Sequence, residues 1–354
     1  MTWSDTRLLD LFGIDLPIVQ APMANSTGVE MAIAVAQAGG LGGLPCAALN
    51  TDQIHAGVAE FRSHTDKPLN LNFFCHTEQA QDEERDRAWL ERLAPYFTEL
   101  LVEPPPSPFP TGLRPFGEGT CIAVEALRPD IVSFHFGLPA APLLARVKAA
   151  GCKILSSATS LREATVLAEL GVDVIIAQGA EAGGHRGMFI ETEVASQIGT
   201  LALVRSICAS LDVPVIAAGG IADGSAIAAA FALGASAVQI GTAYLLCPEA
   251  STHPLHRAAL ADPDRETAIT NVLTGRPARG IVNRFMREQG FLNGAAPAFP
   301  RGRSAIAPLR TKAEAEESTD FSPLWSGQAA KLPPAMGAKE LTLHLAREAK
   351  GLMA

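Results

Sequence analysis

Eight short apolar runs, each followed by a stretch of helical periodicity, constrain the fold of this chain more than any other feature. They are Leu16–Gln20, Gly40–Leu44, Leu69–Phe73, Ile131–Phe134, Lys153–Ser156, Val174–Ala177, Val213–Ala217 and Ala237–Ile240. Most are continuously apolar, as expected of parallel strands buried on both faces. A parallel strand needs a helical crossover to reach its neighbour, so such units in succession predict a (β/α)8 TIM barrel. Helix ends are legible too. Ser160 opens Ser160–Gly171 with Glu163 placed to complete a capping box. Leu161, Ala164, Leu167 and Leu170 form the expected buried stripe, and Gly171 closes the helix. Asp223 opens and Gly234 closes an Ala-rich helix.

Two stretches break the pattern. Glu103–Gly119 holds Pro104, Pro105, Pro106, Pro108, Pro110 and Pro115 and reads as an extended loop. From about Pro248 the alternation stops. Asp262–Arg279, the Gly/Pro/Ala-rich Gly290–Pro308 and the helical Ala338–Lys350 read as an appendage of helix and loop. The expected division is a barrel over residues 1–247, open to completion by later residues, and a substrate-covering segment over 248–354.

The length of 354 residues suits one barrel plus a peripheral segment. A net charge of −9 without a basic stripe argues against nucleic acid. The six cysteines are dispersed, with no CxxC pair, which suits reduced thiols. Met1–Asp10 has no apolar signal core, and runs such as Val213–Ala218 are too short to span a bilayer. A cytoplasmic protein without membrane partners, monomeric or homodimeric, is expected.

Barrel active sites lie at the C-terminal ends of the strands. Gly219-Gly220 and Gly241-Thr242 follow the last two runs, where barrels commonly bind phosphate through backbone N–H groups. Glycines that merely make tight turns are the plain alternative. His185 lies among Gly183, Gly184 and Gly187, a loop with little bulk that lets a ring lie against the backbone. It is the candidate base or cationic partner. Arg186 either joins it or pairs with a carboxylate to hold the loop. His135, between Phe134 and Phe136, is the rival, or a hydrogen-bonded wall residue. Asn72, Gln178 and Gln239 carry amides suited to a flavin ring edge or to satisfying the barrel rim. His253 and His256 have an HxxH spacing without supporting ligands, so no metal is expected.

Gln20-Ala21-Pro22-Met23, Glu181-Ala182-Gly183-Gly184-His185-Arg186-Gly187, Ala217-Ala218-Gly219-Gly220-Ile221-Ala222 and Gln239-Ile240-Gly241-Thr242, taken in order, resemble the nitronate monooxygenases, formerly 2-nitropropane dioxygenases. Trp325-Ser326-Gly327-Gln328 resembles a segment of their first class. The resemblance implies FMN and oxidation of alkyl nitronates such as propionate 3-nitronate by O2, giving a carbonyl compound with nitrite or nitrate. It implies FMN contacts from Ala21, Pro22, Met23, Asn72, Gln178, Gly183, Gly184, Gly219, Gly220, Gln239, Ile240, Gly241, Thr242, Gly327 and Gln328. His185 matches the catalytic histidine, with His135, Phe299 and Arg303 toward the substrate.

The substrate side departs from the family pattern. Where a Tyr-Pro is expected the chain reads Phe299-Pro300-Arg301-Gly302-Arg303, the lysine position is Ala307, and the only tyrosines are Tyr96 and Tyr244. Arg301 or Arg303 is the candidate replacement for the anion-binding role. An FMN-dependent NAD(P)H:quinone or enoyl reductase is the alternative on the same scaffold. A flavin-free phosphate-binding isomerase or lyase and a non-catalytic flavin-binding protein are the remaining readings.

Overall fold

The computed structural model describes residues 3–107, 109–110, 112–329 and 331–353. Its strands are β1 (Ile18–Gln20), β2 (Gly42–Pro45), β3 (Leu69–Phe74), β4 (Ile131–His135), β5 (Lys153–Ala158), β6 (Val174–Gln178), β7 (Gly184–His185), β8 (Val215–Ala218), β9 (Ala237–Ile240), β10 (Thr267–Thr270) and β11 (Ala278–Ile281). Eight of them form one parallel sheet in the order β1-β9-β8-β6-β5-β4-β3-β2. A parallel bridge between Val19 and Leu41 joins β1 to β2 and closes the ring. The fold is therefore the expected TIM barrel.

The β9 range matches the sequence expectation, whereas β2 and β8 begin two residues later than their apolar runs. Gly40 and Leu41 belong to the turn that closes the barrel, and Leu41 makes a single bridge there. Helix Leu161–Glu169 carries another correction. Ser160 caps it through the Glu163 N–H at 3.1 Å, but the Glu163 carboxylate does not return to Ser160. It accepts instead from Thr159 N at 2.7 Å and from Phe189 N at 2.6 Å, so the box gives way to a clamp on a distant loop. Leu170, expected in the stripe, is 49% exposed. The proline-rich loop ends at Gly117, because Glu118 and Gly119 begin helix Glu118–Leu127. Pro108 of that loop lies outside the described residues.

The N-terminal helix Arg7–Phe12 plugs the barrel floor, with Leu8 and Phe12 packed on Val19, Leu155 and Ile216. The C-terminal helix Ala338–Leu352 does not belong to the covering segment by contact. It packs on helices Val29–Gln37 and Gly224–Ala232, filling the outer-ring place between β9 and β1.

The covering segment also has a sheet, which the sequence reading lacked: β10, β11 and β7 pair antiparallel in that order. Helix Glu83–Leu100, inserted after β3, packs on helix Gly302–Ala315, which runs through Pro308. Trp89, Phe285, Phe321 and Leu309 form a second apolar core between them. Full burial of each contributes on the order of 2–3 kcal/mol. This cap stands over the C-terminal ends of the barrel strands. β7 belongs by sequence to the loop after β6 and by pairing to the cap, so His185 sits at their joint.

Candidate active site

A cavity of about 690 Å³ opens at that joint. Ala21, Pro22, Met23, Asn72, Gln178, Gly183, Gly184, Gly219, Gly220, Gln239, Gly241, Thr242 and Gly327 all line it, as do His135, His185, Phe299 and Arg303. Two expected residues do not. Ile240 is fully buried in the barrel wall, and the Gln328 side chain is exposed while its N–H donates to Glu181 O at 2.9 Å.

One end of the cavity is built from glycines that bring backbones together. Gly219 and Gly220 have φ of +130° and +69°, a region open to glycine and costly for other residues. A Cβ at Gly219 would lie 2.6 Å from Thr200 Oγ1, and one at Gly183 would lie 2.6 Å from Gly327 N. The Thr242 hydroxyl accepts from Gly327 N at 2.9 Å and ties the cap to the loop after β9. The N–H groups of Gly219, Gly220 and Gly241 have no protein acceptor among the described residues. The buried Gln239 Oε1 is without a donor as well. A buried polar atom is normally paired, so Gln239 Oε1 calls for a donor, and the half-buried glycines beside it on the cavity wall offer N–H groups to an acceptor. A phosphorylated cofactor with a ring N–H fits.

The other end holds the histidines. His185 Nε2 lies 2.9 Å from Thr274 Oγ1, whose hydroxyl also lies 3.3 Å from Arg276 O. A carbonyl only accepts. With the hydroxyl given to Arg276 O, Nε2 carries the ring proton and Nδ1 keeps its lone pair. No protein group bonds Nδ1 among the described residues. Burial, then the neighbouring His135, Arg276 and Arg303, push His185 down to about 3. The ring is neutral at pH 7, which favours a base over the cationic partner. Phe299 and Trp325 flank it, with ring centroids at 5.2 and 5.4 Å.

His135 holds this arrangement from behind. Its Nε2 donates to the His185 carbonyl at 3.1 Å, so its Nδ1 must accept from the Ser157 hydroxyl at 2.6 Å. Gln178 Nε2 donates to the same carbonyl at 3.0 Å, while its Oε1 accepts from Gly187 N at 2.7 Å. Both Gln178 amide atoms therefore hold the loop. Asn72 Nδ2 donates to Ser133 Oγ at 2.9 Å, leaving Oδ1 open. Arg186 turns away from the cavity and is fully buried. It bonds Gln197 Oε1 and Gln178 O, and no carboxylate pairs with it among the described residues.

His253 accepts from Leu255 N as a helix cap, and His256 Nε2 donates to Trp325 O at 3.1 Å. Arg276 donates to Met188 O and lies 4.1 Å over the Phe136 ring. Thr274, Ser157 and Arg276 were not singled out in the sequence. Thr274 and Arg276 lie in a loop of ordinary composition and Ser157 within strand β5, and only the fold brings Thr274 to a histidine 89 positions away.

The model of the nitronate monooxygenase family matches residues 5–348. A nitronate monooxygenase of Paraburkholderia phytofirmans is 42% identical, over 97% of this chain and 94% of its own. One of Pseudomonas aeruginosa is 42% identical, over 99% of this chain and all of its own. A nitroalkane oxidase structure from Streptomyces ansochromogenes superposes with a TM-score of 0.88 at 35% identity, covering 97% of this chain and 98% of that one. By this match over nearly its whole length, the chain belongs to the nitronate monooxygenase family of oxidoreductase enzymes.

Proposed function

We propose that this enzyme binds FMN and oxidises alkyl nitronates with O2, releasing a carbonyl compound and nitrite or nitrate. The observation that carries the reading is the pairing, in one cavity, of free N–H groups at Gly219, Gly220 and Gly241 with a neutral His185 at the other end. The three N–H groups would hold the phosphate, and Gly183 and Gly327 would admit the cofactor backbone to backbone. Gln239 Oε1 would accept from the ring, and Asn72 Oδ1 is free to do the same. Bound there, the flavin supplies the electron acceptor that O2 reoxidises.

The residues of the chain do the rest. His185 Nδ1 takes the proton from the carbon next to the nitro group of a neutral nitroalkane. Arg303 lines the cavity without an ion-pair partner among the described residues, and its charge is felt at His185. It would face the nitronate oxygens and stabilise the anion. Phe299 and Trp325 keep water from the ring. Ser157, His135 and Gln178 hold the His185 peptide in register.

The experiment is to mix the yellow protein with an alkyl nitronate without oxygen. Bleaching of the flavin absorbance, recovery in air and nitrite release support the reading. Indifference to every nitronate with rapid bleaching by NADH or NADPH overturns it in favour of a reductase.

A further inference from the structure

The charges lining the cavity restrict its substrate beyond the nitronate group, and this step rests on the function proposed above. Among the described lining residues there are two guanidinium groups, Arg303 and Arg310, and one carboxylate, Glu314. Arg310 Nε donates to Glu314 Oε1 at 2.7 Å, and Ser322 Oγ donates to the same oxygen at 2.7 Å. Arg310 is thereby neutralised, and Arg303 is the one cation left over. Of the four histidines lining the cavity, His135, His185 and His256 are held below the ordinary imidazole range by burial and add no charge at pH 7, while His253 is engaged as a helix cap, its Nδ1 accepting from Leu255 N.

Placement then decides what that single cation can do. Arg303, Ala307, Arg310 and Glu314 lie along helix Gly302–Ala315 and all line the cavity. At about 1.5 Å per residue, Ala307 stands ~6 Å and Glu314 ~16 Å beyond Arg303 along the axis. Arg303 is the member whose charge reaches His185, so it is committed to the reacting group. Beside the paired Arg310 and Glu314, the wall offers apolar surface from Leu245, Leu255, Ile306, Ala307, Leu324 and Trp325 and neutral hydroxyls from Thr311 and Ser322. A carboxylate at the far end of a substrate would be desolvated against that wall with no unpaired guanidinium to meet it, and would approach Glu314.

We infer that this enzyme selects nitronates bearing one negative charge and an apolar chain, and discriminates against those with a second anionic group such as a distal carboxylate. Arg303 serves the nitronate oxygens, and the alkyl chain lies along Ile306, Ala307 and Leu324. Ala307, one turn after Arg303 on the cavity side, is the position that sets this preference.

The test compares the nitronates of butane and of propionate on the FMN-loaded enzyme, wild type and Ala307→Lys. The wild type should use the monoanion with a kcat/KM at least about tenfold higher, the effect of one poorly compensated charge. Ala307→Lys should shift the ratio of kcat/KM values toward the dianion by about tenfold. Equal or better use of the dianion by the wild type, or no selective gain in Ala307→Lys, overturns the inference. A binding arm stands apart from turnover: pentanoate and glutarate, unreactive mimics of the two charge types, are titrated against the flavin absorbance. Pentanoate should bind more tightly. If neither nitronate reacts, the proposed function fails, and the titration alone still decides the charge preference. Equal or tighter glutarate binding contradicts it.

Discussion

His135 Nε2 donates to the main-chain carbonyl of His185 across 3.1 Å, so one histidine fixes the peptide of the other instead of acting beside it. Ser157 sets the tautomer that makes this donation possible. Ser157→Ala removes a hydrogen bond whose net worth is about 1 kcal/mol, which corresponds to about a fivefold loss in rate if it acts at the transition state. We expect kcat to fall by that factor with KM unchanged, and Ser157→Thr to restore it. Steady-state kinetics on the three proteins check this. A parallel rise in KM, or no rescue by threonine, assigns Ser157 to packing alone.

Loss of the base should separate two kinds of substrate. His185→Ala is expected to keep its flavin and to lose about 100-fold or more in kcat/KM on neutral nitroalkanes, the span typical of general-base catalysis. Preformed nitronates, already deprotonated, should suffer far less. Because His185 is held down at about 3, its neutral form persists well below the ordinary imidazole range. The kcat/KM profile for a neutral nitroalkane should therefore show no acidic limb near pH 6.5, the ordinary value for histidine. A limb there contradicts the neutral base.

Backbone proximity at the glycine end gives a structural test. A Cβ at Gly183 would sit 2.6 Å from Gly327 N and 2.7 Å from the Ser326 carbonyl carbon. Gly183→Ala should push the Ser326-Gly327 segment outward and weaken FMN binding by about tenfold, as one lost backbone contact of ~1.4 kcal/mol would. Fluorescence titration of the apoprotein with FMN measures this. Unchanged affinity removes Gly327 from the cofactor cradle.

The barrel was legible because each strand announces itself locally. An unbroken apolar run such as Val174–Ala177 needs no knowledge of its partners to be read as a buried parallel strand. The glycine loops and His185 were legible for the same reason, since they follow strands whose ends are rim positions. The cap was not. Trp89 on helix Glu83–Leu100 and Leu309 on helix Gly302–Ala315 share a core although more than two hundred positions separate them. Each helix shows an amphipathic face, but a single face does not name its partner. Pro308 also argued against a helix that packing nonetheless sustains. Glu163 was read as a local cap because its spacing fits one. Its carboxylate went to Phe189 and Ile190 because a buried carboxylate gains more from several N–H donors than from one.

Buried neutral histidines set the acid limit of stability. His76 and His256 are buried and held at about 4 by burial, below the ordinary 6.5. The unfolded chain takes up these protons first as the pH falls. The contribution is full above about pH 6.5 and is lost as pH drops toward 4. At pH 5 each costs on the order of 2 kcal/mol. Urea unfolding at pH 7 and pH 5 should show the drop, and His76→Phe should make it smaller. An equal drop in that variant shows that His76 does not contribute.

The absorbance of the purified protein, recorded without oxygen before and after an alkyl nitronate is added, bears on the whole proposal at once. FMN held at Gly219, Gly220 and Gly241 beside His185 predicts a yellow protein that the nitronate bleaches and air restores. A colourless protein that FMN cannot reconstitute, or a yellow one that no nitronate bleaches, contradicts it.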